Sequence, residues 1–176
     1  MDNQRKVVLY VATSLDGYIA TKEESLEWLF KIESEGDAGY SQFYETVDTI
    51  LMGRRTYDWI MAMEKGKFPY ENKECYVFSN TLNGKTENVE FVNEEVVSFT
   101  TKLKSEAGKD IWIVGGGELL HLFLLNKLVD EYVITIAPTL IGKGIPLFKE
   151  ADYELELELI DVKRFNQFAQ IHFVTK

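Results

Sequence analysis

Four short runs of aliphatic and aromatic residues punctuate the first two-thirds of the chain: residues 6–12 (KVVLYVA), Thr49–Met52 (TILM), Cys75–Phe78 (CYVF) and Ile111–Val114 (IWIV). Each meets a glycine or serine within two residues of its end. Runs with no polar alternation are what strands covered on both faces look like, so they predict parallel strands of a buried sheet. Between them apolar residues recur at helical spacing, with Tyr40, Phe43, Tyr44 and Val47 over 39–47, and Tyr57, Trp59, Ile60 and Met63 over 55–63. Two further helices are expected over 96–106 and 117–127, and strand alternating with helix means an α/β fold.

The period changes in the last third. Val129–Ala137 reads as a strand, and Tyr153, Leu155, Leu157 and Leu159 alternate strictly with Glu154, Glu156 and Glu158. A period of two with one charged face predicts an antiparallel strand over Tyr153–Leu159, with Phe168–Thr175 as its partner through a turn in 163–167. The expectation is one α/β domain over residues 1–176: a mixed, mostly parallel central sheet with flanking helices and a C-terminal antiparallel hairpin.

Composition narrows the function. The 176 residues are 45% hydrophobic, enough to build a core, and 29 acidic against 19 basic residues leave a net charge of −10. Such a field repels phosphodiesters, so a nucleic-acid partner is not expected. The single Cys75 and the two histidines, His121 and His172, form no metal-ligand spacing, so no metal centre is expected. No membrane-length apolar run occurs, and a cytoplasmic location follows as the expectation.

Two junctions carry candidate chemistry. In Val114-Gly115-Gly116-Gly117-Glu118-Leu119, three glycines join a buried strand to an apolar helix. Backbone without Cβ atoms admits close approach, and free N–H groups at a helix N-terminus favour an anion such as a phosphate; a tight turn needing positive φ is the bland alternative. The pattern is not the dinucleotide fingerprint, because Leu120 stands where its last glycine belongs, and Gly84-Lys85-Thr86 is no P-loop, because Ser79 replaces the required glycine. The second junction, Gly53-Arg54-Arg55-Thr56, sets two guanidinium groups at a helix start, where they suit a phosphate or are merely solvated beside an N-cap by Thr56. The loop Ser14-Leu15-Asp16-Gly17-Tyr18-Ile19-Ala20 is either a plain Asp-Gly turn or a mobile flap over a planar ligand.

Taken in order, SLDGYIA at 14–20, ILMGRRTYD at 50–58, CYVFSNT at 75–81, IWIVGGGELLHLFL at 111–124 and VDEYVITIAPTLIGKGIPLF at 129–148 resemble the dihydrofolate reductase-like fold family. The resemblance is closest to its bacterial branch related to the C-terminal reductase domain of the bifunctional riboflavin-biosynthesis deaminase-reductase. It implies an NADPH-dependent oxidoreductase acting on a small pterin- or pyrimidine-like heterocycle or its ribityl or ribosyl derivative. It places the cofactor pyrophosphate near Gly115, Gly116 and Gly117, with a cis peptide between Gly115 and Gly116. Gly53, Arg54, Arg55 and Thr56 then meet the other phosphates, Ser79, Asn80 and Thr81 the adenosine 2′-phosphate, and Ala12 and Ile19 the nicotinamide. Val114, Glu118 and Leu119 complete the cofactor segment.

Dihydrofolate reductases carry an acid about five residues after a tryptophan. Counting forward from Trp28 gives Glu33, and counting back from Met52-Gly53 gives Asp37. These are the candidate proton donors, with Asp16 third, on the expectation that Trp28, Leu29 and Phe30 form an apolar wall that raises a carboxyl pKa. The alternative is a solvated acidic turn. The rival to an enzyme is a non-catalytic nucleotide-binding or regulatory protein that retains the fold. A homodimer is also expected, from the resemblance and from the apolar run Phe165, Phe168, Ile171 and Phe173.

Overall fold

The computed structural model describes residues 4–176. The non-alternating runs become the central strands because both their faces are covered. These are β1 (Val7–Ser14), β3 (Val47–Gly53), β4 (Glu74–Phe78) and β7 (Asp110–Gly115). Three short strands, β2 (Tyr18–Ala20), β5 (Gly84–Lys85) and β6 (Glu90–Val92), and the helices α1 (Glu27–Phe30), α2 (Tyr40–Tyr44), α3 (Arg54–Met63) and α4 (Val96–Ser105) fill the connections. The chain ends through α5 (Gly117–Leu125), β8 (Glu131–Ala137), β9 (Ile145–Pro146), β10 (Leu157–Phe165) and β11 (Phe168–Thr175).

Nine strands form one sheet in the order β10-β11-β8-β1-β7-β3-β4-β6-β5. The ladders from β8 across β1, β7, β3 and β4 to β6 are parallel; β11 pairs antiparallel with both β8 and β10. The expected mixed α/β sheet with a terminal hairpin is what the chain adopts.

Each face carries its own core. On one side Leu9, Leu51, Ile111 and Ile113 meet Phe99 and Leu103 of α4 and Leu120 and Phe123 of α5. On the other side Ile50, Met52, Val77 and Trp112 meet Ile60 of α3 and, more loosely, Tyr40, Phe43 and Tyr44 of α2. Tyr10 stacks on Phe43 with ring centroids 4.0 Å apart, and Trp112 stands edge-on to both rings.

Three sequence expectations are corrected. The helix over 39–47 is only Tyr40–Tyr44, because Val47 is already needed as a buried residue of β3. The strand over Tyr153–Leu159 enters the ladder only at Leu157 and runs on to Phe165. Tyr153 and Leu155 alternate because they lean on the α5-side core, with no neighbouring strand, so the period was real and the pairing was not. The flap is not free either: Tyr18–Ala20 is β2, paired with β9. Among the described residues no helix is long and apolar enough to cross a membrane.

Candidate functional site

In an open α/β sheet the carboxyl ends of the parallel strands form the ligand-binding rim. Here Met52 of β3 lies opposite Gly115 of β7, which sets their two outgoing turns side by side. Each turn leads straight into a helix, α3 with Gly53 as N-cap and α5 with Gly116 as N-cap, and neither helix has a side-chain cap. The first N–H groups of both helices are thus left to a ligand or to water, with two dipoles that favour an anion at one place. Thr56 lies inside the first turn of α3 and does not cap it, which corrects the N-cap half of the bland reading; Arg55 is largely exposed, as that reading had it.

Close approach requires glycine at one of these positions: a Cβ on Gly116 would lie 2.9 Å from Thr56 Oγ1, whereas one on Gly53 would lie at ordinary contact distance, 3.6 Å from the Gly116 nitrogen. Gly115 takes φ +127°, which disfavours L side chains, and the space a Cβ would enter there is open. The Gly115–Gly116 peptide is cis, as the resemblance implied.

Charged groups ring these turns, each on a carboxylate. Arg54 Nε donates to Asp58 at 2.8 and 2.9 Å and its guanidinium lies 5.9 Å from the Phe91 ring centre. Arg55 pairs with Glu24 at 2.5 Å across from α3. Lys149 pairs with Glu118, holding that carboxyl below its ordinary range, and a Cβ on Gly117 would lie 3.6 Å from Lys149 Cε. Neither Glu24 nor Lys149 was found from the sequence. Lys149 stands one residue beyond the matching segment that ends at Phe148, and Glu24 sits in a polar loop with no periodicity.

Other predicted residues fall into distinct roles. Ser79 is buried, and its Oγ accepts from Thr81 and Leu82 N–H, so it shapes a turn on which Asn80 and Thr81 are exposed. Val114 packs against the α3-side core, and Leu119 is buried below Gly53 as support rather than contact surface. Ala12 shares a face of β1 with Tyr10, whereas Ile19 packs against the α5-side core, so the structure does not bring these two to one face.

The candidate acids are not where a raised pKa would require them. Asp37 is exposed. Its carboxylate accepts from Gly39 N–H at 3.1 Å and Ser41 N–H at 2.8 Å, and Ser41, through its hydroxyl and then its backbone, holds the group below the usual carboxylate range. Glu33 is exposed as well, and Phe30 of the expected apolar wall is 67% exposed. Asp16 ties Ser14 to the backbone of Ile141 and Gly142, and the Ser14 hydroxyl first among these holds it low. Beside Asp37, a polar clamp that the sequence did not reveal fixes the turn: Tyr10 Oη donates to the Ala38 carbonyl at 3.3 Å, and buried Gln170 donates to Thr135 Oγ1 at 2.9 Å and to the same carbonyl at 3.5 Å.

The family model described as the RibD C-terminal domain matches residues 5–171. A Bacillus subtilis (strain 168) protein, the uncharacterized YwjB, is 46% identical over 97% of this chain and 98% of its own. The crystal structure of a putative riboflavin biosynthesis protein from Shewanella sp. PV-4 superposes with a TM-score of 0.87 at 32% identity, covering 97% of this chain and 99% of that one. A dihydrofolate reductase from Enterococcus faecalis, at 15% identity and a TM-score of 0.71 over 98% of both chains, shares the fold.

Proposed function

Since the chain belongs to the RibD C-terminal domain family, we propose that it is an NADPH-dependent reductase. It acts on a C=N or C=O bond of a small pterin- or pyrimidine-like heterocycle or its ribityl or ribosyl derivative. The observation that carries this reading is the pair of uncapped helix N-termini set together at the rim, with Gly116 pressed against Thr56 so that only backbone faces the ligand. The enterococcal dihydrofolate reductase that shares the fold is one complexed with NADP(H).

The residues present fit such a cofactor. Gly115, Gly116 and Gly117 form a cradle that a side chain would fill, suited to a pyrophosphate, while Arg54, Arg55 and Lys149 can exchange their carboxylate partners for phosphate oxygens. The Ser79–Thr81 turn presents exposed Asn80 and Thr81, suited to an adenosine 2′-phosphate. The bound nicotinamide supplies hydride, and the protein binds and orients. The accompanying proton comes from water at the rim, since Asp37 is exposed and held ionised. The same observation favours a second reading, a nucleotide-binding protein without turnover.

Tryptophan-fluorescence titration tests the first reading. NADPH is expected to bind at least about tenfold more tightly than NADH, the scale of one additional charge-assisted contact. Arg54 lies over Phe91, next to the Val92 whose carbonyl accepts from Ser79 N–H, and so borders the Ser79–Thr81 turn; replacing Arg54 and Arg55 together by alanine should erase that preference. Equal affinity for the two nucleotides removes the 2′-phosphate assignment. Tight NADPH binding with no oxidation across pterin and pyrimidine substrates selects the second reading.

A further inference from the structure

The sheet is split at the rim where its parallel strands end. β1 and β7 pair only from Val7↔Ile111 to Leu9↔Ile113, yet β1 runs on to Ser14 and β7 to Gly115. Past Leu9 the two strands part, with the glycine turn on one side of the gap and the end of β1 on the other. Toward β8, by contrast, β1 stays paired throughout. Its register sets Ala12 opposite Thr135, and Thr135 lies opposite Gln170 of β11. Directly opposed residues share a side of the sheet, so these three form one row, on the side of Tyr10 and one step inside the rim. Ala12, nearest the gap, is partly exposed, whereas Thr135 and Gln170 are only 6% and 8% exposed. The hairpin closes the far end of the row: Phe168 is buried, and Phe165 lies over Gly39, 3.2 Å from where its Cβ would be.

Two polar groups buried in this row keep hydrogen-bonding capacity that the fold does not use. Gln170 Nε2 spends both its hydrogens, on Thr135 Oγ1 at 2.9 Å and on the Ala38 carbonyl at 3.5 Å. A carbonyl only accepts, so the amide cannot stand the other way round. Oε1 is left as the free end. It accepts from nothing among the described residues, and it is not sealed from open space. Thr135 Oγ1 accepts from Gln170, and its own hydrogen reaches no acceptor among the described residues. Charges that border the row are engaged elsewhere: Asp37 with the Gly39 and Ser41 N–H groups, Lys163 with Asp161 at 3.7 Å, and His172 with Glu131 at 2.9 Å. An empty acceptor beside an empty donor, both neutral, fits the adjoining N–H and C=O of a cyclic amide.

Resting on the proposed reductase reading, in which a heterocycle meets the nicotinamide at this rim, we propose that Gln170 is the residue that recognises the substrate. Its Oε1 accepts the ring N–H of a cyclic amide, and the Thr135 hydroxyl donates to the carbonyl beside that N–H. Both partners are neutral, so the heterocycle is bound uncharged. The clamp on the Ala38 carbonyl thereby has a second use, because the bonds that fix the turn also decide which end of the carboxamide is free. Gln170 lies outside every motif of the sequence, and Thr135, which holds it, is 35 residues away.

Fluorescence titration with pterin and with 3-methylpterin, each with and without NADPH, tests the assignment; the second probe keeps the carbonyl and lacks the ring N–H. The parent is expected to bind pterin at least about tenfold more tightly, the scale of one hydrogen bond to a buried acceptor. Gln170→Ala removes the acceptor and opens room for the methyl group, so the ratio should fall to about one. A purely structural clamp would weaken both probes alike and leave the ratio unchanged, which overturns the proposal. A parent that binds the two probes equally, or binds neither, overturns it as well. Should the alanine variant not fold, the parent decides: a crystal structure of its pterin complex is expected to set the ring nitrogen about 3 Å from Gln170 Oε1, and a ring nitrogen placed elsewhere overturns the assignment. NADPH titration of the same preparation reads the cofactor separately. Protein that binds no NADPH yet keeps the pterin ratio refutes the reductase reading and leaves the recognition by Gln170 standing; NADPH binding without a pterin preference refutes Gln170 alone.

Discussion

The two rims of the sheet use polar residues in opposite ways. At the rim where the parallel strands begin, charges are spent on the fold. Buried Arg5 donates to the Lys109 carbonyl at 2.6 Å and to Thr49 Oγ1 at 2.5 Å and pairs with Asp48, whose other oxygen accepts from Lys109 N–H at 2.8 Å. Asp130 accepts from Val7 N–H and from Lys104. Burial pushes the Glu131 carboxyl up, but Lys6 and His172 outweigh it and hold the group low. At the rim where the strands end, the helices start on bare glycine, and the cations stand on exchangeable surface carboxylates. Backbone groups that one rim satisfies internally are left available at the other, and that asymmetry marks a binding edge more clearly than residue type does.

Gly116→Val should break the comparison hardest. The backbone there has φ −79°, which any residue adopts, so the branched side chain opposes folding mainly through the 2.9 Å approach to Thr56 Oγ1. Nucleotide affinity is expected to fall about 100-fold or more, roughly 3 kcal/mol, against about 1 kcal/mol of stability. Titration and urea denaturation on the same preparation check both numbers, and a folded variant that binds normally refutes the cradle. Asp48→Ala is the counterpart at the other rim. It leaves buried Arg5 without its carboxylate, at a cost of about 2 kcal/mol, reduced from the fully buried value because the Asp48 side chain is 38% exposed. Nucleotide binding should not change.

What the sequence disclosed follows the same division. Buried strands and glycine junctions were legible because each rests on a local rule, period or backbone freedom, that the residues themselves carry. The hairpin was displaced because alternation reports which side of the chain is wet, and Tyr153 and Leu155 obey it without any neighbouring strand. Glu24 and Lys149 were invisible because their partners, Arg55 and Glu118, are 31 residues away in each case, and only the folded rim brings them together. Asp37 was found by counting, but counting does not report solvent.

Glu24→Gln sharpens the comparison by a smaller effect. The Glu24 loop is pinned to α3 twice, by the Arg55 ion pair and by Trp59 Nε1 donating to the Glu24 carbonyl at 3.2 Å. Removing the charge while keeping the loop frees Arg55 for an incoming phosphate. Since Arg55 is largely exposed, the gain is modest, about two- to threefold in NADPH affinity at low salt, fading as ionic strength rises. Weaker binding would show that the ion pair shapes the site instead of competing with it.

The smallest change expected is that of Asp37→Asn, and its smallness is the point. Ser41 holds the Asp37 carboxyl below the ordinary value of 3.8, so any stability it contributes is present above that pH and lost as pH falls through its lower folded value. Between pH 5 and 8 the group is ionised in the folded and the unfolded chain alike, and the stability of parent and variant should run parallel there. Asparagine keeps one acceptor oxygen, for the Ser41 N–H at the cost of the longer bond from Gly39 N–H, and the Ala38 carbonyl stays clamped by Tyr10 and Gln170, so the turn should hold its shape. If water supplies the proton, hydride transfer to a found substrate keeps its rate and its pH profile in the variant. If a bound heterocycle buries Asp37, desolvation raises its pKa into the working range, and the variant loses both rate and the basic limb of the profile. Single-turnover oxidation of NADPH across that pH range separates the two, because it reads the chemical step without product release.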